Sequence, residues 1–380
     1  MTRDVYITDV AAFLPNGPVS NDEMEQVLGT VNGRRSRARP LVLRNNGIKQ
    51  RYYAIDKDSG ELRYNNACLT AEAIRRLKLE PAKIELLSCG TSSPDQLMPN
   101  HGVMVHGELD AGVCEVHSSA GICTAGMAAL KYAWLSVMSG GCDNAVATGS
   151  ELASTFMQSK NFECESEARV RELEQRPEVA FEKDFLRWML SDGAGAMLLQ
   201  GSPAAEGLSL RIEWIELHSY AHTQPACMYG GAEKNEDGTL RGWREFDSME
   251  EVLKRSVLTV KQDVKQLNEE IVRVTVEQAL PGIAEKHGLE AESVDYFLPH
   301  ISSEYFRSRL AEGLERIGFA IPQARWFTNL THKGNTGSAS IYIILEELFH
   351  SGRLQKGERI LCFVPESGRF STSFMLLTVV

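Results

Sequence analysis

A repeat at a fixed offset constrains this chain more than any single motif. Cys123 stands before a small-residue helical stretch that ends at Ser139-Gly140 and leads into the strand-like NAVATG. Asn335 stands before SASIYIILEELFHSG, which ends at Ser351-Gly352 and leads into RILCFV. The two starts and the two Ser-Gly ends are both 212 residues apart (335 − 123 and 351 − 139). Each block closes on a similar strand, AMLL from Ala196 and FMLL from Phe374, and each is preceded by an apolar run into a Ser-Ser loop, IELLSCGTSS and VDYFLPHISS. Such a pattern describes two copies of one α/β unit, with Cys123 and Asn335 at equivalent helix starts and His300 at the C-terminal end of a strand. Open α/β sheets place their chemistry at such strand ends.

The copies differ in length between helix and closing strand. Met197 and Met375 are only 178 apart, so the first copy carries 34 additional residues (212 − 178). The excess coincides with Thr155–Trp188. Its charged middle, ECESEARVRELEQRPEVAFEKDF, reads as a solvated excursion, whereas its apolar ends, FMQ and FLRWML, are candidates for a substrate-tunnel wall or a subunit interface. Apolar runs alternating with helical patterns give an α/β fold. The halves are expected at 1–200 and 201–380. Strands are expected in VYITDVAAF, IELLSCG, NAVATG, AMLLQG, LSLRIEWIEL, VDYFLPH, RILCFV and SFMLLTVV, and helices over Thr124–Met138, Met249–His287 and Ser338–Ser351.

Composition narrows the partners. A 43% apolar and 24% charged chain of 380 residues is that of a globular protein, and a net charge of −11 argues against nucleic acid or an anionic membrane as the main partner. Neither a signal-peptide layout nor a membrane-length apolar run is present. The eight cysteines are scattered and form no CxxC pair, so no disulfide framework or metal cluster is expected and the reading is a reduced, cytoplasmic protein.

Several motifs fail. SDGAGAMLL has Leu198 where a dinucleotide fingerprint needs its third glycine, GNTGSAS lacks the lysine of a P-loop, and TGSELAS is not a nucleophile elbow. His101, His106 and His117 lack metal-ligand spacing and read as surface or packing residues. What remains is a thiol, an imidazole and a carboxamide. A helix N-terminus lowers a thiol's pKa, and the small residues around Cys123 leave its sulfur uncrowded, with peptide N–H groups nearby for an oxyanion.

At this level the chain resembles the thiolase superfamily, and within it β-ketoacyl-ACP synthase III. The resemblance rests on the strand ending at Leu14-Pro15, Asn21, LRNNGIKQRYYA, the Cys123 loop, SDGAGA from Ser191, LPH ending at His300 and GNTGSAS from Gly334. It implies a five-layer αβαβα fold from two duplicated halves, normally a homodimer. It further implies that Cys123 takes an acyl group from a thioester while His300 and Asn335 hydrogen-bond the thioester carbonyl of the second substrate. No cofactor is consumed, and the substrates are acyl-CoA and acyl carrier protein thioesters whose pantetheine arm enters a tunnel. Arg44 matches an arginine near the tunnel mouth. Arg37 and Arg39, with Arg34 and Arg35, form a basic patch able to receive carrier or CoA phosphates.

There are departures from that pattern. The HSSAGIC loop looks extended, Ile-Ser-Ser follows His300 where Gln-Ala-Asn is usual, and no tryptophan precedes Arg44. The C-terminal loop reads PESGRFSTS, so that only Gly368 is left as a backbone oxyanion donor there. The opening VYITDVAAFLPNGPVSNDEMEQVLG, with LRNNGIKQRYYAID and HISSEYF, is similar to the ketosynthase-cyclases of dialkylresorcinol and cyclohexanedione biosynthesis, which join a β-ketoacyl thioester to an α,β-unsaturated acyl thioester. Glu151, after NAVATG, is then a candidate proton acceptor for the extra carbanion step. The competing expectations are a chain-initiating synthase condensing acyl-CoA with malonyl-ACP, and an acyltransferase or carrier-binding subunit without condensation activity.

Overall fold

The computed structural model describes residues 3–33, 36, 39–162 and 186–380. Nine strands form the main sheet: β1 (Tyr6–Phe13), β2 (Leu86–Thr91), β3 (Glu115–Ala120), β4 (Asn144–Glu151), β5 (Gly193–Gln200), β6 (Leu210–Ser219), β7 (Tyr296–Pro299), β8 (Arg359–Glu366) and β9 (Ser371–Val379). Their spatial order is β7-β8-β9-β6-β1-β5-β4-β2-β3. The halves meet between β1 and β6 over just two antiparallel pairs, Tyr6 with Arg211 and Ile7 with Leu210.

Reading outward from that junction, each half repeats the other. In the first, β1, β5 and β4 run antiparallel and β4, β2 and β3 parallel. In the second, β6, β9 and β8 run antiparallel and β8 and β7 parallel. The counterpart of β3 is reduced to one parallel bridge between Phe297 and Trp326. The 178-residue offset between β5 and β9 is the one visible in the two MLL segments.

The α-helices of seven or more residues are α1 (Arg39–Asn46), α2 (Asn66–Ile74), α3 (His101–Gly107), α4 (Ala125–Ser139), α5 (Val264–Val272), α6 (Leu280–His287), α7 (Tyr305–Arg316) and α8 (Ser340–Phe349). Three apolar clusters resolve the expected five layers. On one outer face Ala67, Leu69, Ile74 and Val105 of α2 and α3 cover Leu87, Cys89, Val146 and Ala196. In the middle, α4 and α8 fill the space between half-sheets, with Met127, Leu130 and Ala133 beside Ile341, Tyr342 and Leu345 against Leu86, Ala147, Leu298 and Cys362. On the other outer face Leu280, Ile283, Leu310 and Leu314 cover Phe297, Leu361, Phe363 and Phe374.

The two central helices need small residues because they lie almost on the strands. A Cβ on Gly195 would stand 2.3 Å from Tyr342 Cβ, and one on Gly90 2.2 Å from the Ala125 carbonyl oxygen. No side chain fits at such separations, so these glycines set the depth at which α4 and α8, and the loops before them, sit.

Two expectations are corrected. Met249–His287 is not one helix. Lys261–Gln262 pairs with Met228–Tyr229, and the Asp263 carboxylate accepts from Gln266 N (3.0 Å) to start α5 afresh. Nor is HSSAGI an extended loop: His117–Ala120 belong to β3, whose polar residues suit an edge strand, and only Gly121–Thr124 remain as loop.

Candidate active site

Cys123 lies in the four-residue turn between β3 and α4, directly before Thr124, the cap of the helix. His300 follows the last residue of β7, its backbone N–H fixed on the Phe363 carbonyl (2.8 Å). Asn335 is held on both sides of its peptide, by Met189 O (3.1 Å) and by Ser191 N (2.8 Å). These three residues, from three elements, line one cavity of about 380 Å³ together with Glu151 and Ser92.

Each side chain has a defined electrical state. Burial lowers the His300 imidazole to about 4, so it is neutral at physiological pH. The Asn335 carboxamide oxygen accepts from Gly337 N (3.0 Å), which leaves its NH2 group as donor toward the cavity. Glu151, at the end of β4, accepts from the hydroxyls of Ser92 (2.5 Å) and Ser93 (2.6 Å) and from Ser338 N (3.1 Å). Burial pushes its carboxyl above the usual range, against those hydrogen bonds.

Cys123 departs from the expected lowered pKa. The structure pushes the thiol well above its ordinary value, by burial first and then by the carboxylates of Glu366 and Glu151. The helix start is not electropositive, because Glu366 already occupies it. Its Oε2 accepts from Ile122 N (3.1 Å), Thr124 N (3.0 Å) and the Thr124 hydroxyl (2.6 Å). The Cys123 peptide N–H lies by its own sulfur and favours the thiolate against them.

The cavity walls come in part from the additional segment of the first half. Phe156, Met157, Leu186, Met189 and Leu190 line it from that segment's described flanks and the residues just after. Residues 163–185, the charged middle, lie outside the described residues. Leu258, Val260 and Gln262, from the strap of residues 258–263 before α5, line it too, with Leu267 and Ile271. The Lys261 ammonium pins that strap from behind, donating to Ser256 O at 2.8 Å.

Other sequence candidates land as follows. Gly368 stands beside the cysteine loop, a Cβ there being 3.0 Å from Ile122 Cδ1, and its carbonyl accepts from Cys227 N (2.8 Å). Arg44 is exposed in the last turn of α1. Arg39 is largely engaged within the protein. Its guanidinium turns inward to Asn21 O (2.5 Å), faces Asp22 at 3.6 Å and packs over Trp188. Arg37, Arg34 and Arg35 lie outside the described residues. His101 is buried, His106 bonds Gly112 O (3.0 Å), and His117 stacks on Tyr132 with centroids 4.0 Å apart. SDGAGA serves the scaffold: Asp192 accepts from Ala54 N (2.7 Å) and Ser154 N (2.8 Å), and burial raises its carboxyl to about 6. Among the described residues no group of three or more His, Cys, Asp and Glu gathers as a metal would require, and no helix is long and apolar enough to cross a membrane.

Glu366 escaped the sequence reading. A signal existed: β4 and β8 start 215 residues apart (359 − 144), and Glu366 and Glu151 share that offset (366 − 151). The Ser-Gly offset of 212 obscured it, because the second copy has three more residues between helix and strand.

The comparisons with known proteins agree with this architecture. Residues 114–205, spanning the cysteine turn, match the model described as β-ketoacyl synthase, N-terminal domain; residues 284–376, spanning His300 and Asn335, match 3-oxoacyl-[acyl-carrier-protein (ACP)] synthase III C terminal. A segment of each half thus resembles ketosynthase III-type proteins. The chain is 25% identical over 361 residues to the β-ketoacyl-[acyl-carrier-protein] synthase III of Campylobacter curvus, covering 93% of this chain and 91% of that one. It is 22% identical to the same-named protein of Methylococcus capsulatus, covering 95% of each. Its fold is shared with AbyA1, a tetronic acid condensing enzyme (TM-score 0.74, 20% identity, 98% and 99% coverage). A variant of Xanthomonas campestris OleA with bound lauric acid and lauroyl-CoA shares it too (TM-score 0.73, 20% identity, 100% of each chain).

Proposed function

We propose that this protein forms carbon–carbon bonds between acyl thioesters through an acyl-Cys123 intermediate. The observation that carries the reading is the convergence of Cys123, neutral His300 and the donor face of Asn335 on one cavity with an apolar sleeve. In the first half-reaction the Cys123 thiol gives its proton to His300 and the sulfur attacks the thioester carbonyl. The bond to pantetheine sulfur breaks, and the departing thiolate takes the proton back. In the second, His300 and the Asn335 amide donate to the carbonyl oxygen of the incoming thioester as it loses CO2 or an α-proton and becomes an enolate, whose carbon attacks the acyl carbonyl and expels the Cys123 sulfur, which regains a proton. Phe156, Met157, Leu186 and Leu190 receive the acyl chain.

Within that class, the reading is a ketosynthase-cyclase joining a β-ketoacyl thioester to an α,β-unsaturated one by conjugate addition and a Claisen closure. A cyclase needs one more deprotonation than chain initiation. Glu151 supports it, a carboxylate in the cavity wall with a raised pKa, as a proton acceptor requires. Chain initiation from acyl-CoA and malonyl-ACP is the second reading, favoured by the names of the curated relatives. Exposed Arg44 is the candidate contact for the carrier or CoA, the Cys half (1–200) and the His/Asn half (201–380) act as one unit, and the protein works as a homodimer in the cytoplasm. The edge strand β3, which hydrogen-bonds to a neighbour on one side only, supports the dimer.

Intact mass after mixing with candidate thioesters tests the core. Acylation that disappears in Cys123→Ala supports the nucleophile, and unchanged acylation sinks it. Supplying β-ketoacyl-carrier or malonyl-carrier to the acyl-enzyme then separates a cyclic dione from CO2 release. An acyl-enzyme that forms neither product is an acyltransferase.

A further inference from the structure

The two halves exchange carboxylates. Glu151 closes β4 of the first half and holds Ser338 N at the start of α8, the central helix of the second. Glu366 closes β8 of the second half and holds Ile122 N and Thr124 N at the start of α4, the central helix of the first. The equivalent strands therefore deliver equivalent side chains to opposite helices, and Cys123 feels both.

We propose that Glu366 is a positioning residue for Cys123, whose carboxylate takes the peptide donors on both sides of the nucleophile and so makes the thiol depend on His300 for its activation. The proposal rests on reading Cys123 as the nucleophile. Three buried titratable groups stand around the thiol, each from a different strand end: Glu366 from β8, Glu151 from β4 and His300 from β7. The two carboxylates resist a second negative charge, and the imidazole is uncharged, so none of these three groups stabilises a thiolate as a cation would. The helix N-terminus would be the remaining source of positive potential. Glu366 absorbs it, and its three contacts fix the turn from Ile122 to Thr124 in one conformation. The consequence is an enzyme whose resting nucleophile is a neutral thiol, little exposed to adventitious alkylation or oxidation, that loses its proton only when an acyl thioester lies beside it and His300 receives the proton.

The test is the pH dependence of iodoacetamide alkylation at Cys123, read on the peptide containing it because Cys68, Cys114 and Cys142 are also partly exposed. In the wild-type protein the alkylation midpoint lies above the ordinary thiol value of about 8.5. A midpoint below that value overturns the proposal without any variant. Glu366→Gln preserves the side chain's shape and a carbonyl acceptor for the turn while removing its charge. Its midpoint falls by about one unit or more, equivalent to roughly tenfold faster alkylation below the midpoint. A folded Glu366→Gln protein with the wild-type midpoint refutes the proposal. Acyl transfer is scored separately. If Cys123→Ala still acylates, the nucleophile reading has failed, whereas an unmoved alkylation midpoint defeats the role of Glu366 alone.

Discussion

Gly337→Ala offers a sharp measure of how the site is held together. Gly337 has φ = 52°, a left-handed conformation that costs a residue with a Cβ about 1–2 kcal/mol. The new Cβ would also stand 2.2 Å from Glu151 Oε2, 2.9 Å from its Cδ and 3.1 Å from its Cγ. Glu151 has little room to retreat, because the Ser92 and Ser93 hydroxyls hold its other oxygen. To clear the methyl it must release Ser338 N, a hydrogen bond to a charged group worth about 1.5–3 kcal/mol. The combined cost is about 2.5–5 kcal/mol. Urea denaturation of four proteins measures it: wild type, Gly337→Ala, Glu151→Ala and the double variant. In the Glu151→Ala background the collision is gone, and the glycine substitution costs only the backbone part, about 1–2 kcal/mol. Function follows the same geometry. Gly337 N anchors the Asn335 carboxamide, so Gly337→Ala acylates Cys123 while its second half-reaction slows. An equal cost in both backgrounds would show that no collision with Glu151 occurs.

Three further outcomes follow from the same structure. The depressed His300 pKa, about 4 against the usual 6.5, means the folded protein binds fewer protons than the unfolded chain between those values. Stability from this group is thus full above pH 6.5 and lost as pH falls through about 4, by about 3 kcal/mol in all. Urea midpoints followed from pH 7 to 4 show that decline in wild type and a smaller one in His300→Gln, where buried His101, also lowered to about 4, keeps its own share. Leu190→Trp adds bulk to the apolar wall, so intact-mass acylation falls selectively for long acyl thioesters while short ones still load; an equal loss for all lengths would place the acyl chain elsewhere. Gly195→Ala drives a methyl against Tyr342 Cβ (2.3 Å) and lowers stability by about 1–3 kcal/mol or more, read as a shift in the urea midpoint.

What the sequence made legible is what repeats. Buried strands β2, β4, β5, β8 and β9 are apolar runs because both their faces are covered by helices, and their spacing exposed the duplication. The helix starts at Cys123 and Asn335 were legible for the same reason. The edge strand β3 was not, since EVHSSA has one neighbour, partly open faces and no apolar run to announce it. The strap before α5 was hidden as well. Its residues continue a helical pattern, and what interrupts the helix is a tertiary pairing of Lys261–Gln262 with Met228–Tyr229. The contacts of Arg39 were not legible either, because charge in a sequence has no direction; Asn21, Asp22 and Trp188 all engage its guanidinium.

The thiol shows how position can be read correctly and its electrostatics wrongly. A helix N-terminus favours an anion by about 0.3–1 kcal/mol, up to about 2 in a partly buried setting. Burial of a charged group works the other way by as much as 3–5 pKa units, each about 1.4 kcal/mol. The dipole therefore loses at Cys123 even before carboxylates are counted, and Glu366 then spends the same peptide donors on its own charge. A resting thiolate is not needed for acyl transfer when a neutral imidazole shares the cavity, because proton transfer and sulfur attack can be coupled in one step. It follows that the rate of Cys123 acylation should track the basicity of the imidazole and not the thiolate population. Glu366→Gln would then speed alkylation by iodoacetamide, while His300→Gln would slow acylation by thioesters and leave the Cys123 alkylation midpoint close to wild type. A parallel change of both reactions in both variants would mean that thiolate population governs acyl transfer after all.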